Sequence, residues 1–427
     1  MIAEAAARLH SFSDAAFALD LAGVEISARH VQRLASEIGT ELARKRDEKV
    51  AQRRRRKLPV RVATPPEVVA VEVDGGRLQT RETGAGPGVH DKQNKEDKVA
   101  CLVSLQSEVH QQDPQPEPPE SFLEPRRVQR LVQAMKGQAG DKPSEEGGQE
   151  EEATPQPTRE EPNAESTTPK KRVRTCVASM ADCRAFGPMV AAEAQERGFY
   201  QAKRKAFLAD GAAYNWGIHK GYFSDFEPVV DMLHVLCYVY LAAWAVGSDE
   251  TQKWSTYVGW LRSCWQGRAD EVIEALQHWQ EKIGKPPKGE KRDGKDPRWL
   301  VAEALTYLRN NEERMDYPRY RRQGLPITSS LVESLVGEFN ARVKGCDKYW
   351  NRPEGAEAIL QLRAAVLSED DRLERFFSQR PRLSLTTPQG GLTGRFSSAA
   401  TQSALQWRSW PPCSGSRYTP RGEEWNK

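Results

Sequence analysis

Two stretches of this chain place a carboxylate where an apolar run gives way to glycine. In "VVAVEVDGG" Asp74 ends the run from Val68 and is followed by Gly75 and Gly76. In "KAFLADG" Asp210 ends a second run and Gly211 follows. An ionised carboxylate at the end of a buried strand is costly unless water or a positive partner compensates it. Open α/β sheets bind ligands at the carboxyl ends of their strands. Magnesium is typically held by one or two carboxylates together with substrate phosphate. The glycines would leave room for that phosphate. A two-ion centre calls for a third acid, and "SSLVESLVGEFNARVK" offers Glu333. On a helix Glu333 shares a face with Asn340 and Lys344, which suit a phosphate backbone, whereas Glu338 points away. Each feature also has an ordinary reading. Asp-Gly makes turns, and Ser330 to Glu333 fits a capping box. The case for chemistry rests on three acids in strand, strand, helix order.

Such acids need a sheet to carry them. Val68–Glu82 and Lys98–Val109 alternate with period two and read as strands, with "GAGPG" in the turn between them. Arg172–Met180 reads as a third strand, followed by a helix stopping at Gly198. Lys205–Trp216 contains a short apolar strand ending in Asp-Gly, and Pro228–His234 is a fifth strand running into an apolar helix that ends at Gly247. The order implies an α/β fold with a mixed sheet. Trp244 to Asn311 reads as wholly helical, with tryptophans at 244, 254, 260, 265, 279 and 299. Aromatics so placed are more often core than a base-stacking surface. Leu325–Phe377 reads as two further helices.

At the amino end "SDAAFALDLAG" and "VEISARHVQRLASEIGTELARKRDEKVAQRRRRK" read as helix, turn, helix, with Ser27 as an N-cap and Val31, Leu34, Ile38 and Leu42 at helical spacing. This is compatible with a DNA-reading helix-turn-helix, and equally with an ordinary helical hairpin. Its basic end, Arg53, Arg54, Arg55, Arg56 and Lys57, suits a polyanion. The net charge of the 427-residue chain is only +3, but it is segregated into basic runs and an acidic block from Glu145 to Glu165. That block and the Pro-rich stretch before it are too polar to fold alone. Seven scattered cysteines form no C-x-x-C pair, which argues against a structural zinc site and for reduced thiols. No signal-peptide pattern opens the chain and no uncharged stretch is long enough for a bilayer, so a cytoplasmic protein without a membrane partner is expected.

Taken together, "VDGGRLQTRE", "KEDKVACL", "FLADGAAYNWGI", "VVDMLHVLCYVYLAAWA" and "GLPITSSLVESLVGEFNARVKGCDKYWNRPEGAEAILQLRA" resemble a DDE transposase of bacterial insertion sequences, most nearly of the ISKra type. The resemblance covers about Val68 to Phe377, and its last motif is long and specific. It implies a ribonuclease H-like catalytic domain interrupted by a helical insertion before the final acid. The segments would be a helix-turn-helix-like DNA-binding part (1–60), the first strands (61–110), a disordered acidic Pro-rich insertion (111–171), the continued catalytic domain (172–243), the helical insertion (244–322), the closing helices (323–380) and a disordered tail (381–427). By that match Asp74, Asp210 and Glu333 are the catalytic triad and the ligands of two Mg²⁺ or Mn²⁺ ions.

The same resemblance implies double-stranded DNA as substrate, both element ends and target, a homo-oligomer on paired ends, and location at the bacterial nucleoid. Asp74 would bridge the two ions, with Asp210 and Glu333 holding one each, for in-line phosphoryl transfer by water and then by a 3′-hydroxyl. Related groups carry a D-x-x-H-like element, here Asp231 and His234, to which an accessory role is assigned. Capping or packing at a strand–helix junction is its competing explanation. Arg53 to Lys57, Asn340, Arg342 and Lys344 would hold DNA phosphates. Two other readings stand beside this one: a transposon-derived DNA-binding protein without catalysis, and a structure-selective nuclease that never joins strands.

Overall fold

Val68 to Val73 are buried on both sides, as a strand between two covered layers requires. They begin β1 (Val68–Thr80), the central strand of a mixed five-stranded sheet. β2 (Gln93–Gln106) lies antiparallel to it, with Val68 opposite Leu105 and Thr80 opposite Gln93. β3 (Lys170–Ser179) pairs antiparallel with β2. On the other side β4 (Arg204–Ala209) runs parallel to β1, and β5 (Glu227–Val230) parallel to β4. The spatial order is β3-β2-β1-β4-β5. This computed structural model describes residues 1–80, 93–138, 168–287, 289–344 and 350–380; the side chains of 93, 94, 136–138 and 330–333 fall outside that description.

The period-two pattern of β1 sorts its residues into two cores. Val69, Val71 and Val73 pack with Phe186, Val190, Phe199 and Phe207. These include side chains of α5 (Cys183–Glu196), and α6 (Ala213–Tyr222) joins the same layer through Ile218. Val68, Ala70 and Leu78 face the larger core. There they meet α7 (Met232–Val246), α12 (Ser330–Val343) and α13 (Pro353–Leu367), the last two followed by a short α14 (Arg372–Ser378). α12 packs across β1 and β2. Between α7 and α12 lie α8 (Glu250–Trp265), α9 (Ala269–Ile283), α10 (Pro297–Asn311) and α11 (Tyr317–Arg322). Their tryptophans pack inward as expected: Trp265 is buried and Trp254 packs edge-on to Trp244 and tilted against Tyr257.

The amino-terminal helices do not stand apart. α2 (Phe12–Leu21) and α3 (Ala28–Arg54) are the expected helix, turn and helix, preceded by α1 (Ile2–Arg8), with Ser27 capping α3 through the His30 N–H at 3.3 Å. α3 lies along α13, where Gly39 meets the Ala358 carbonyl too closely to admit a Cβ. Arg46 pairs with Glu357 at 2.5 Å, and Lys49 with Glu196 at 2.5 Å and Glu193 at 3.3 Å. The segment therefore belongs to one folded unit with the sheet, from Met1 to Ser378.

The first part of the Pro-rich insertion is also ordered, against expectation. Arg321 grips the Asp113 carboxylate with two nitrogens, and the Trp265 indole donates to the Gln115 carbonyl at 2.8 Å. α4 (Pro125–Gln138) then buries Val128 and Val132 against the larger core, to which α7 contributes. The stretch is fixed by side chains supplied from α8 and α11, so its own composition does not decide its fate. Residues 139–167 of that insertion and the tail 381–427 lie outside the described residues. Among the described residues no helix is long and apolar enough to cross a membrane.

Candidate functional site

The parallel pairing of β1, β4 and β5 ends at one level. Val73 of β1 is in register with Ala209 of β4, and Ala209 with Val230 of β5. The next residue of each is an aspartate: Asp74, Asp210 and Asp231. β1 itself does not stop at Asp74, in keeping with the strand expected over Val68–Glu82. It continues to Thr80 because β2 keeps pairing with it, Asp74 opposite Val99 and Gly76 opposite Asp97. What ends there is the parallel neighbour. Asp74 thus stands where β1 loses its parallel partner.

Asp74 accepts the Gly75 N–H through Oδ1 at 2.7 Å. Its carboxyl is pushed up to about 6 by burial, against the Gly75 N–H, with the negative charges of Asp210 and Asp231 raising it further and His234 opposing them. Asp210 is held in one orientation: its Oδ1 accepts the Ala212 N–H and the Asn215 amide, both at 2.9 Å. Asn215 is fully buried at the start of α6. The chain turns away through Gly211 at φ +95, where a Cβ would lie 2.7 Å from Tyr307 and 2.9 Å from Asn311. Tyr307 of α10 also donates its hydroxyl to the Asp210 carbonyl at 3.0 Å, so the helical insertion is locked onto the site.

Asp231 is fully buried and its oxygens are already engaged. Oδ2 caps α7 through the His234 N–H at 3.1 Å and takes the His234 Nδ1 at 2.7 Å. Oδ1 accepts the Ser329 N–H at 2.7 Å. This is the capping geometry, and it does more than cap: it ties the start of α7 and the imidazole to the N-cap of α12. That N-cap is Ser329, so Ser330 is the first helical residue and not the capping residue of an S-x-x-E box. Glu333 lies in the first turn of α12, over β1 and β2, and its side chain lies outside the described residues. Glu338 points away as expected and pairs with Arg174 of β3 at 2.9 Å.

The basic residues divide. Lys344 is exposed just beyond the end of α12, and Asn340 is half-buried. Arg342, expected to hold phosphate, is instead 3% exposed. Its guanidinium donates to the Ala6 carbonyl at 2.8 Å and the His10 carbonyl at 3.4 Å and lies over the Phe12 ring. It holds the amino-terminal helices and faces no solvent. Arg53 lies over the rings of Tyr200 and Tyr222. Tyr222 ends α6, about 15 Å along the helix from the aspartates, so the run does not border them. Arg54 to Lys57 are exposed there.

Two groups at the site escaped the sequence reading. Tyr214, 38% exposed, places its hydroxyl 3.6 Å from where a Cβ of Gly75 would be, and the Lys98 ammonium lies over its ring at 5.0 Å. Asp97 of β2 is 1% exposed. In the strand's alternation it falls in phase with Val99, Cys101 and Val103, which face the larger core. A charged residue in the apolar phase was the available signal.

The donors at the strand ends are oxygen only, which fits Mg²⁺ or Mn²⁺ and not a thiophilic metal. Among the described residues no group of three or more His, Cys, Asp or Glu is placed to hold an ion. With Asp231 engaged, Asp74 and Asp210 are the strand-end carboxylates that could hold such an ion. In comparisons with known proteins, the chain matches no family model and no curated sequence.

Proposed function

We propose that the chain is a DDE-type DNA transposase, which cuts a phosphodiester at the end of an insertion sequence and joins the freed 3′-hydroxyl to target DNA. The observation that carries this reading is the meeting of Asp74 and Asp210 at one level of the sheet from distant parts of the chain. The finer fold reading, a ribonuclease H-like domain, draws support from the central strand's antiparallel partner on one side and parallel partner on the other. The helices α8 to α11, inserted between the sheet and the helix that bears Glu333, also accord with it.

On this reading Asp74, Asp210 and Glu333 hold two divalent cations. Bound there, the ions would supply an activated water and offset the charge gathering on the phosphate oxygens. Asn215 and the Ala212 N–H keep the Asp210 carboxylate from turning away. Asp231 acts through position: its bond to Ser329 sets where α12, and so Glu333, begins. Lys344 and the exposed Arg54 to Lys57 hold the DNA backbone, and the active species is an oligomer on paired ends.

The experiment uses DNA from the two flanks of the reading frame, with Mn²⁺, and compares the full chain with Asp210→Asn. The expected result is cutting at a defined end and a joined product, both lost in the variant. DNA retention without metal-dependent cutting would make the chain a binder. Cutting without joining would make it a nuclease.

A further inference from the structure

We infer that Asp97 is a fourth acid of the cation site, a ligand on β2 that shares a divalent ion with Asp74. The inference rests on the metal centre proposed above. Asp97 lies opposite Gly76, and paired residues of an antiparallel ladder point to the same face, so it faces as Asp74 does. The two are diagonal neighbours across the pair, typically about 7–8 Å apart at the backbone and within reach of each other's side chains. Neither carboxylate oxygen of Asp97 receives a hydrogen bond from another described residue, although both are buried. Buried carboxylates ordinarily have donors.

The lack of a side chain opposite is part of the arrangement. A Cβ on Gly76 would stand 2.7 Å from Asp97 Oδ1 and 3.1 Å from Oδ2. Gly76 is an extended strand residue outside the left-handed region, so its backbone would accept alanine. What requires glycine there is the carboxylate.

A water could hydrogen-bond this group, but it would leave the repulsion between Asp97 and Asp74 in place. A cation offsets both charges at once. Magnesium and manganese keep several waters and need only one or two carboxylates, so Asp97 can take the place of a water on an ion that Asp74 holds without displacing Asp210 or Glu333 from the site. Lys344 is the rival occupant: its charge acts on Asp97 from the end of α12.

The test is Mn²⁺ binding to the full chain without DNA, followed by electron paramagnetic resonance of the free ion. Asp97→Asn and Gly76→Ala are compared with the parent, each first shown to melt cooperatively in chelator at pH 5, well above the temperature of the binding measurement. The expected result is a dissociation constant raised about tenfold or more in both variants, on the scale that metal-site substitutions produce. Parent-like binding in both would overturn the inference and leave Asp97 to water or to Lys344. A parent chain that binds no Mn²⁺ would overturn it too. DNA joining by the parent is scored separately, so the transposase reading can stand where this one fails.

Discussion

Asp97→Asn offers a direct reading of the electrostatic state of the site. Burial, opposed by its own backbone and by Lys344, and aided by the charge of Asp74, pushes the Asp97 carboxyl from its ordinary 3.8 up to about 6. The folded state therefore holds this proton more tightly than the unfolded chain does. The stability that goes with it is complete below about pH 4 and is lost as pH rises through 6. A rise of that size is worth about 3 kcal/mol. Asparagine cannot ionise, so the difference in stability between variant and parent should swing by about 3 kcal/mol in the variant's favour between pH 3 and pH 7. Any fixed cost of burying the amide cancels in that comparison. For a folded body of this size the swing is about 4 °C in melting temperature. Thermal melts in chelator across that range measure it. Asp74 is pushed up to about 6 by burial and its neighbours as well, so the double variant with Asp74→Asn should swing by less than the two singles together. A difference that does not change with pH, or that moves in the parent's favour as pH rises, would refute the picture of crowded, desolvated acids.

Three other perturbations probe the parts around the acids. Gly211→Ala forces a side chain into the left-handed backbone and against Tyr307 and Asn311; a loss of about 2 kcal/mol or more in stability is expected from calorimetry. Arg342→Gln strips the Ala6 and His10 carbonyls of a buried donor and should cost about 2 kcal/mol. The salt dependence of DNA binding should stay as in the parent, whereas Lys344→Gln should lower its slope by about one. At the far edge of the sheet, burial raises the Asp370 carboxyl, but hydrogen bonds and charge from Arg372 outweigh it and hold it well below the ordinary range. Its contribution is present above the ordinary value and is lost as pH falls below 4, so acid melts of Asp370→Asn should lack a step that the parent shows.

The run Val68 to Val73 marks a strand covered on both sides, and the short apolar runs from Lys205 and Pro228 mark two more, although the second ends at Val230 and Met232 to His234, read with it, begin α7. These patterns are local, and the structure keeps them. What was illegible depends on partners far along the chain. Val68–Glu82 reads as one strand, but not what holds its turn-prone Asp-Gly-Gly extended: β2 pairs across it, and Asp97 fills the space that the glycine at 76 leaves open. "QQDPQPEPPE" reads as too polar to fold, and alone it is; Arg321 and Trp265 supply what it lacks. Arg342 sits in a basic, helical stretch that suits a DNA contact, but the carbonyl ends of α1 and its following turn claim the guanidinium. Asp231 was legible as a residue of interest, and only its three hydrogen bonds show that it works by positioning α7 and α12.

The central claim is that Asp74, Asp210 and Glu333 share divalent cations. Anomalous diffraction from crystals of the full chain grown with Mn²⁺ tests it most directly. The account predicts manganese within bonding distance of Asp74 and Asp210, with the Glu333 carboxylate turned from α12 to meet it. Manganese held by other acids, with these three carboxylates directed to separate surfaces, would contradict it.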